Sequence, residues 1–216
     1  MYIPEHFAER DVAVLHALVR SHPLGTWVAQ AGERLTVNHI PFVLDSTRGA
    51  LGTLVGHVAR ANGVWKALPG QVESVVVFQG PQAYITPSWY PAKQEHGKVV
   101  PTWNYAVVHA HGTPRVIDEP EWLRSHVTAL TDVHEGERAT PWRVSDAPAD
   151  FVDALLRAIV GIEIPIASLT GKWKASQNRS MSDRLAVIAG LDESDDPEAT
   201  RMARLVRERM NALDEG

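Results

Sequence analysis

Cysteine is absent from this 216-residue chain. That excludes a thiol nucleophile, an iron–sulfur cluster, a cysteine-based zinc finger and any disulfide framework. Long apolar runs are missing too. None approaches the roughly 18 residues that a membrane span requires, so no membrane association is expected. The opening MYIPEHFAER has neither a basic start nor an apolar h-region and is not read as a secretory signal. A cytoplasmic protein is expected. Cations are the minority charge: 21 Lys and Arg against 26 Asp and Glu leave −5. A general electrostatic grip on nucleic acid is not supported at that balance. Neither GxGxxG nor a Walker A motif occurs, so dinucleotide or triphosphate binding through those loops has no basis.

What is present is ordinary in bulk, with 44 % hydrophobic and 22 % charged residues. A chain of this length buries roughly 70 % of its unfolded surface and needs no covalent staple. We expect one domain over 1–216. Ten histidines and seven tryptophans are the compositional excess. Both types suit a ligand site, since imidazole titrates near neutrality and indole offers a stacking face with one donor.

Helical periodicity predicts a helix over Glu9–Arg20, stopped by His22-Pro23. Strand-like runs follow at Gly25–Gln30 and Leu35–Leu44 around the turn Ala31-Gly32, then at Ala50–Val58, Val72–Phe78, Ala83–Ile85 and Val99–Ala110. One or two helical turns are expected over Arg60–Leu68. Short strands joined mostly by turns indicate an antiparallel barrel. The second half reads as helices. One starts at Asp118-x-x-Glu121, with Asp118 as cap and Trp122, Leu123, Val127 and Leu130 as its apolar face. A second spans Pro148–Val160 with Gly161 as its stop. A strand over Ile162–Leu169 and a last helix capped by Asp196-Pro197 follow.

Four segments carry chemistry. FQGPQAYITPSWY (78–90) holds two prolines, a glycine and four aromatics, a composition at odds with a regular buried strand. In VVPTWNYAVVHAHG (99–112), alternation sets Trp103, Tyr105, Val107 and His109 on one face and Thr102, Asn104 and Ala106 on the other. That aromatic row suits a stacking wall or a dimer interface. His109 and His111 share a face, but no third ligand is in register and no metal site is assigned. GKWKASQNR (171–179) sets Lys172 and Lys174 on one side of an extended segment among Ser, Gln and Asn, the materials of a phosphate pocket. GHVARAN (56–62) adds His57, Arg60 and Asn62 at a strand end.

Together MYIPEHF, GHVARAN, FQGPQAYITPSWY, VPTWNY with VHAHG, and GKWKASQNR resemble the PaiB-type family, the FMN-binding negative transcriptional regulators. The blocks run in order from residue 1 to about 191. The resemblance implies a branch of the FMN-binding split barrels, the fold of pyridoxamine phosphate oxidases. It therefore implies a mainly β, six-stranded antiparallel Greek-key barrel with added C-terminal helices. It further implies a homodimer with FMN at the subunit interface and repression of sporulation and degradative-enzyme genes. Carried over by position, His57, Arg60 and Asn62 would hold the FMN phosphate, where the oxidases' serine-arginine-lysine grip is replaced by His57-Val58-Ala59-Arg60. Asn38 and His39 would meet the isoalloxazine edge. Lys172 and Lys174 match the oxidases' basic-aromatic-basic C-terminal piece. Two further functions stay open. One is a flavin-dependent oxidoreductase on a small cytosolic substrate, with Trp89, Trp103 and Lys174 lining its pocket. The other is a flavin or haem carrier without catalysis. No catalytic residue is named. DNA is a conceivable partner that the charge does not favour, because the last helix interleaves Arg201, Arg204, Arg207 and Arg209 with Glu198 and Glu208.

Overall fold

A computed structural model describes residues 1–68, 70 and 72–214, with side chains through residue 211. Its strands are β1 (Ala8–Glu9), β2 (Leu24–Ala31), β3 (Arg34–Pro41), β4 (Val43–Asp45), β5 (Thr53–Ala59), β6 (Ser74–Ile85), β7 (Thr102–Gly112), β8 (Arg115–Ile117), β9 (Ile159–Pro165) and β10 (Ser168–Lys174). Its helices are α1 (Val12–Ser21), α2 (Val64–Ala67), α3 (Ala92–Glu95), α4 (Pro120–Glu135), α5 (Ala149–Leu156), α6 (Met181–Asp192) and α7 (Pro197–Asp214). Six strands form one sheet in the order β1-β10-β7-β6-β2-β3, and four form a second in the order β4-β5-β9-β8. Pairing is antiparallel wherever register is defined, as in β2 with β3 and β5 with β9. No helix among the described residues is long and apolar enough to cross a membrane.

The chain divides into two compact units. The larger comprises 16–78 and 109–169, and the smaller comprises 1–15, 79–108 and 170–216. In the larger unit the β2–β3 hairpin turns on Gly32 and Glu33. Gly32 takes φ +61° while Glu33 does not enter the positive region, the pattern of a II′ turn, whose twist matches that of its strands. Trp27, Ile40, Phe42, Leu54, Val76 and Phe78 are buried in this unit. A second apolar cluster joins Leu123 of α4 to Val152 and Leu156 of α5, with Trp122 and Ile159 packed against it. In the smaller unit α6 packs on α7.

Several expectations are corrected. Phe78–Tyr90 is not irregular throughout, because β6 continues to Ile85 and carries Pro81 inside it. β2 pairs with β6 only at Val75, Val76 and Val77. Pro81 lies past that ladder, where its missing N–H costs β2 nothing. Gly161 is not a helix stop. It lies within β9, opposite His57, and a Cβ there would sit 2.2 Å from the Trp122 ring. Glycine at this position lets α4 lie close on the strand. Asp118 is not the α4 cap, which is Glu119, and its carboxylate goes elsewhere. The strand expected over Ile162–Leu169 is two strands, β9 and β10. α6 was not anticipated; its Ser180 cap accepts from the Asp183 backbone N–H. The Asp196 cap is observed, accepting from the Glu198 N–H at 2.9 Å.

β7 alternates as expected, but its buried face is the one with small and polar residues: Asn104, Ala106, Val108 and Ala110. Trp103 stays 49 % exposed.

Candidate functional site

In the larger unit, an open recess of about 290 Å³ is lined by Asn38, His39 and Ile40 of β3, His57, Val58 and Ala59 of β5, Asn62 and Ile159. Four of the nine anticipated site residues therefore meet here: Asn38, His39, His57 and Asn62. The two amides are oriented by a chain of bonds anchored on the backbone. The Val64 N–H donates to Asn62 Oδ1 at 3.1 Å, which turns Asn62 Nδ2 toward Asn38 Oδ1 at 2.7 Å. Each amide nitrogen carries two hydrogens, so donor capacity remains.

Arg60 stands next in sequence but is engaged otherwise. Its guanidinium pairs with both Asp118 oxygens, and it donates to the carbonyls of Arg157 at 2.7 Å and Ile159 at 3.0 Å. These bonds tie the end of β5 to the α4 start and to the α5–β9 connection. Among the described residues, no lysine or arginine lines the recess.

Behind the recess lies an arrangement that the sequence reading missed. His57 Nδ1 is 2.9 Å from Nε2 of His126, on α4. The Trp122 ring stacks on His126 with centroids 5.4 Å apart and an interplanar angle of 24°. Trp122 Nε1 donates to Glu163 Oε1 at 3.1 Å, and the Arg48 guanidinium grips the same carboxylate at 2.5 and 2.9 Å. Burial lowers the His57 pKa, and it pushes His126 down to about 4 with a smaller contribution from His57. The Arg48 guanidinium holds the Glu163 carboxyl below its usual value, against burial and with help from Trp122. The pair is thus neutral near pH 7, and the cation and anion behind it are matched. One signal was readable: His126 lies four residues after Trp122 and three after Leu123, a histidine on the apolar face of a predicted helix.

The remaining anticipated residues lie in the smaller unit. Trp89 packs against α6, where a Cβ on Gly190 would come within 2.3 Å of its ring. Trp103 donates from Nε1 to Gln82 at 3.1 Å and lies 6.2 Å from the exposed Tyr84 ring. Lys174 Nζ bonds the Thr102 hydroxyl and, at 2.7 Å, the Trp103 carbonyl. Burial and the neighbouring cations Lys172 and Arg179 lower its pKa. Lys172 donates to the Tyr2 carbonyl at 3.2 Å and lies over the Tyr105 ring. Gln177 folds back on its own backbone, bonding the Ala175 N–H and the Trp173 carbonyl. Much of GKWKASQNR is therefore spent on β10 and the turn after it. His109 and His111 have ring centroids 6.4 Å apart, and His111 faces Glu73 at 3.6 Å. Among the described residues, no three His, Cys, Asp or Glu side chains gather as a metal site would need.

Comparison with known proteins fits this architecture. The family described as "Putative FMN-binding domain" matches residues 1–168. An uncharacterized protein of Emericella nidulans is 35 % identical over 97 % of each chain. The protease synthase and sporulation protein PAI 2 of Bacillus subtilis is 29 % identical over 97 % of this chain and 98 % of its own. Among solved structures, an FAD and heme binding protein of Mycobacterium smegmatis superposes with a TM-score of 0.57 at 19 % identity, over 77 % of this chain and 73 % of that one. The antiparallel sheets, the family match over most of the length and the full-length likeness to PAI 2 converge on one assignment: this chain belongs to the FMN-binding domain family of PaiB type and has the flavin-binding split-barrel fold.

Proposed function

We propose that the protein binds FMN as a homodimer, with the recess of Asn38, His39, His57 and Asn62 against the flavin ring. The observation that carries this reading is the polar lining of that recess: hydrogen-bonding side chains, of which Asn38 and Asn62 are oriented by a bond to each other and His57 by one to His126. Preorganised polar groups on an otherwise apolar wall are what a specific small-ligand site requires. The recess has room for part of a ligand. Arg60 acts from behind it as an ion-paired brace. A phosphate needs cations, and among the described residues the recess lining itself offers none. When bound, FMN would supply electron-transfer chemistry, while the residues named here bind and orient it. The protease-synthesis and sporulation role in the name of the Bacillus subtilis relative is carried over as part of the proposal, read as repression of those genes, with action in the cytoplasm. Direct DNA contact gains no support from α7, where Arg201 pairs with Glu198, Arg207 with Asp192 and Arg209 with Glu9.

Titration of the apo-protein with FMN, followed by quenching of flavin fluorescence, tests the cofactor. Saturable binding is expected. Asn62→Leu should weaken it by about 3- to 10-fold, the worth of one neutral hydrogen bond with its partner's alignment. Absence of binding rejects FMN, and an unchanged affinity in the variant rejects the recess.

The dimer rests on a different observation. Trp103 and Tyr84 are each about half exposed, at 49 % and 52 %, and Tyr105 follows Trp103 on the same face of β7. An aromatic strip of this kind is uncommon on a monomer's surface. Sedimentation at low micromolar concentration should return twice 23.8 kDa. Trp103→Asp should return the single-chain mass by placing a carboxylate from each subunit in an apolar contact. A wild-type monomer overturns the dimer.

A further inference from the structure

The bond between His57 and His126 needs one N–H and one lone pair, and the surroundings decide which ring supplies which. If His57 donates from Nδ1, a neutral His126 must carry its own proton on Nδ1. That atom is buried and has no hydrogen-bond partner. The result would be a stranded N–H, which folded proteins avoid more strictly than a stranded lone pair. If His126 donates from Nε2, its buried Nδ1 is a bare lone pair, the lesser cost. His57 then accepts at Nδ1 and holds its proton on Nε2. The orientation of His126 is itself fixed, since Trp122 covers its face and is tethered to Glu163, which Arg48 grips in turn.

We infer that His126 locks His57 in the Nε2–H form, so that the recess offers a neutral N–H donor and receives the uncharged hydrogen-bonding edge of a heteroaromatic ring, the pyrimidine edge of the flavin, rather than its phosphate. The inference rests on the reading of the recess as the flavin site. His57 lines it, and Nε2 is the one polar atom of that ring not committed to His126. Asn38 and Asn62 add amide N–H groups whose orientation is pinned from the Val64 backbone. A row of neutral donors suits the two carbonyls of a pyrimidine edge, which flank a single N–H. A phosphate dianion would call for a cation. The nearest candidate in sequence, Arg60, is satisfied by Asp118 and two backbone carbonyls. His57 is therefore a specificity-determining group, and His126 is a positioning residue that never touches the ligand.

Two measurements test the two halves. The first is the histidine tautomers of the full-length apo-protein, read by long-range proton–nitrogen correlation at pH 7.5. His57 should be protonated at Nε2 and bare at Nδ1, and His126→Phe should convert it to a mixture of tautomers. A proton on His57 Nδ1 in the wild type overturns the lock, and this readout needs no flavin. The second is the affinity of wild type and His57→Phe for FMN and for riboflavin, which lacks the phosphate. The variant should lose affinity for both by the same factor, about 5- to 20-fold for a buried donor removed. A loss confined to FMN would assign His57 to the phosphate and overturn the edge assignment. Failure of the wild type to bind either flavin would overturn the flavin reading of the recess and the edge assignment with it, while the tautomer result would stand by itself.

Discussion

Lowering the pH from 6.5 to 4 is expected to remove on the order of 3 kcal/mol of folding stability through His126 alone. The side chain is 4 % exposed, and burial followed by the neighbouring His57 holds its pKa at about 4, down from 6.5. The sign follows from proton counting. Between these values the unfolded chain binds a proton that the folded chain refuses, so acid favours unfolding. The stabilisation is fully present above pH 6.5 and is lost as the pH falls toward 4. His57, also lowered by burial, acts in the same direction. For a chain of this size the effect corresponds to a fall in Tm of about 6–12 °C. Thermal melts between pH 4 and 7 would show it as a slope that His126→Phe flattens. A wild-type Tm that is level across this range would exclude a neutral, buried His126.

Arg48→Ala should cost about 2–4 kcal/mol. The charge it abandons is the reason. Glu163 is 4 % exposed, and its carboxylate takes both of its strong ionic bonds from Arg48. Arg48 itself is half exposed, so its own rehydration offsets part of the loss and places the effect below that of a fully enclosed pair. The carboxylate must then be neutralised or hydrated. Its pKa should rise, and the acid unfolding transition should move to higher pH. Glu163 also accepts from Trp122, so the Trp122 fluorescence and the stack on His126 should change with it. Arg48→Lys, which keeps the charge but not the two-pronged grip, should recover only part of the stability. A substitution that leaves both the Tm and the acid midpoint unchanged would show that the carboxylate is already satisfied by water.

These two effects expose the line between local and global information. Strand alternation, a hairpin turn at Gly32 and the Asp196 cap follow from rules that act within a few residues and point to an antiparallel barrel, while the split-barrel class and the segments around Asn38 and His57 came from the resemblance of the ordered sequence blocks to a known family. Glycine and aspartate were harder to place. Gly161 has the look of a helix stop and Asp118 that of a cap, because each is the usual residue for that local role. In the fold, Gly161 makes room for Trp122, and Asp118 neutralises Arg60 from 58 positions away. The lysines of GKWKASQNR are another instance. Their spacing on one side of a strand is a sequence property, but that Lys174 spends its hydrogens on Thr102 and the Trp103 carbonyl depends on which strand lies alongside.

By itself, then, the sequence determined the fold class, the flavin-type family and four of the residues that line the recess. Only the tertiary structure decided which charges are already spent and which imidazole faces which. His57 and His126 are 69 residues apart, and nothing in either neighbourhood encodes the 2.9 Å between them. That distance exists because α4 lies over β9, and the β5–β9 ladder sets Gly161 opposite His57, leaving space for the Trp122 ring that covers His126. Protonation state and donor direction depend on burial and partner geometry, which arise from packing between segments remote in the chain.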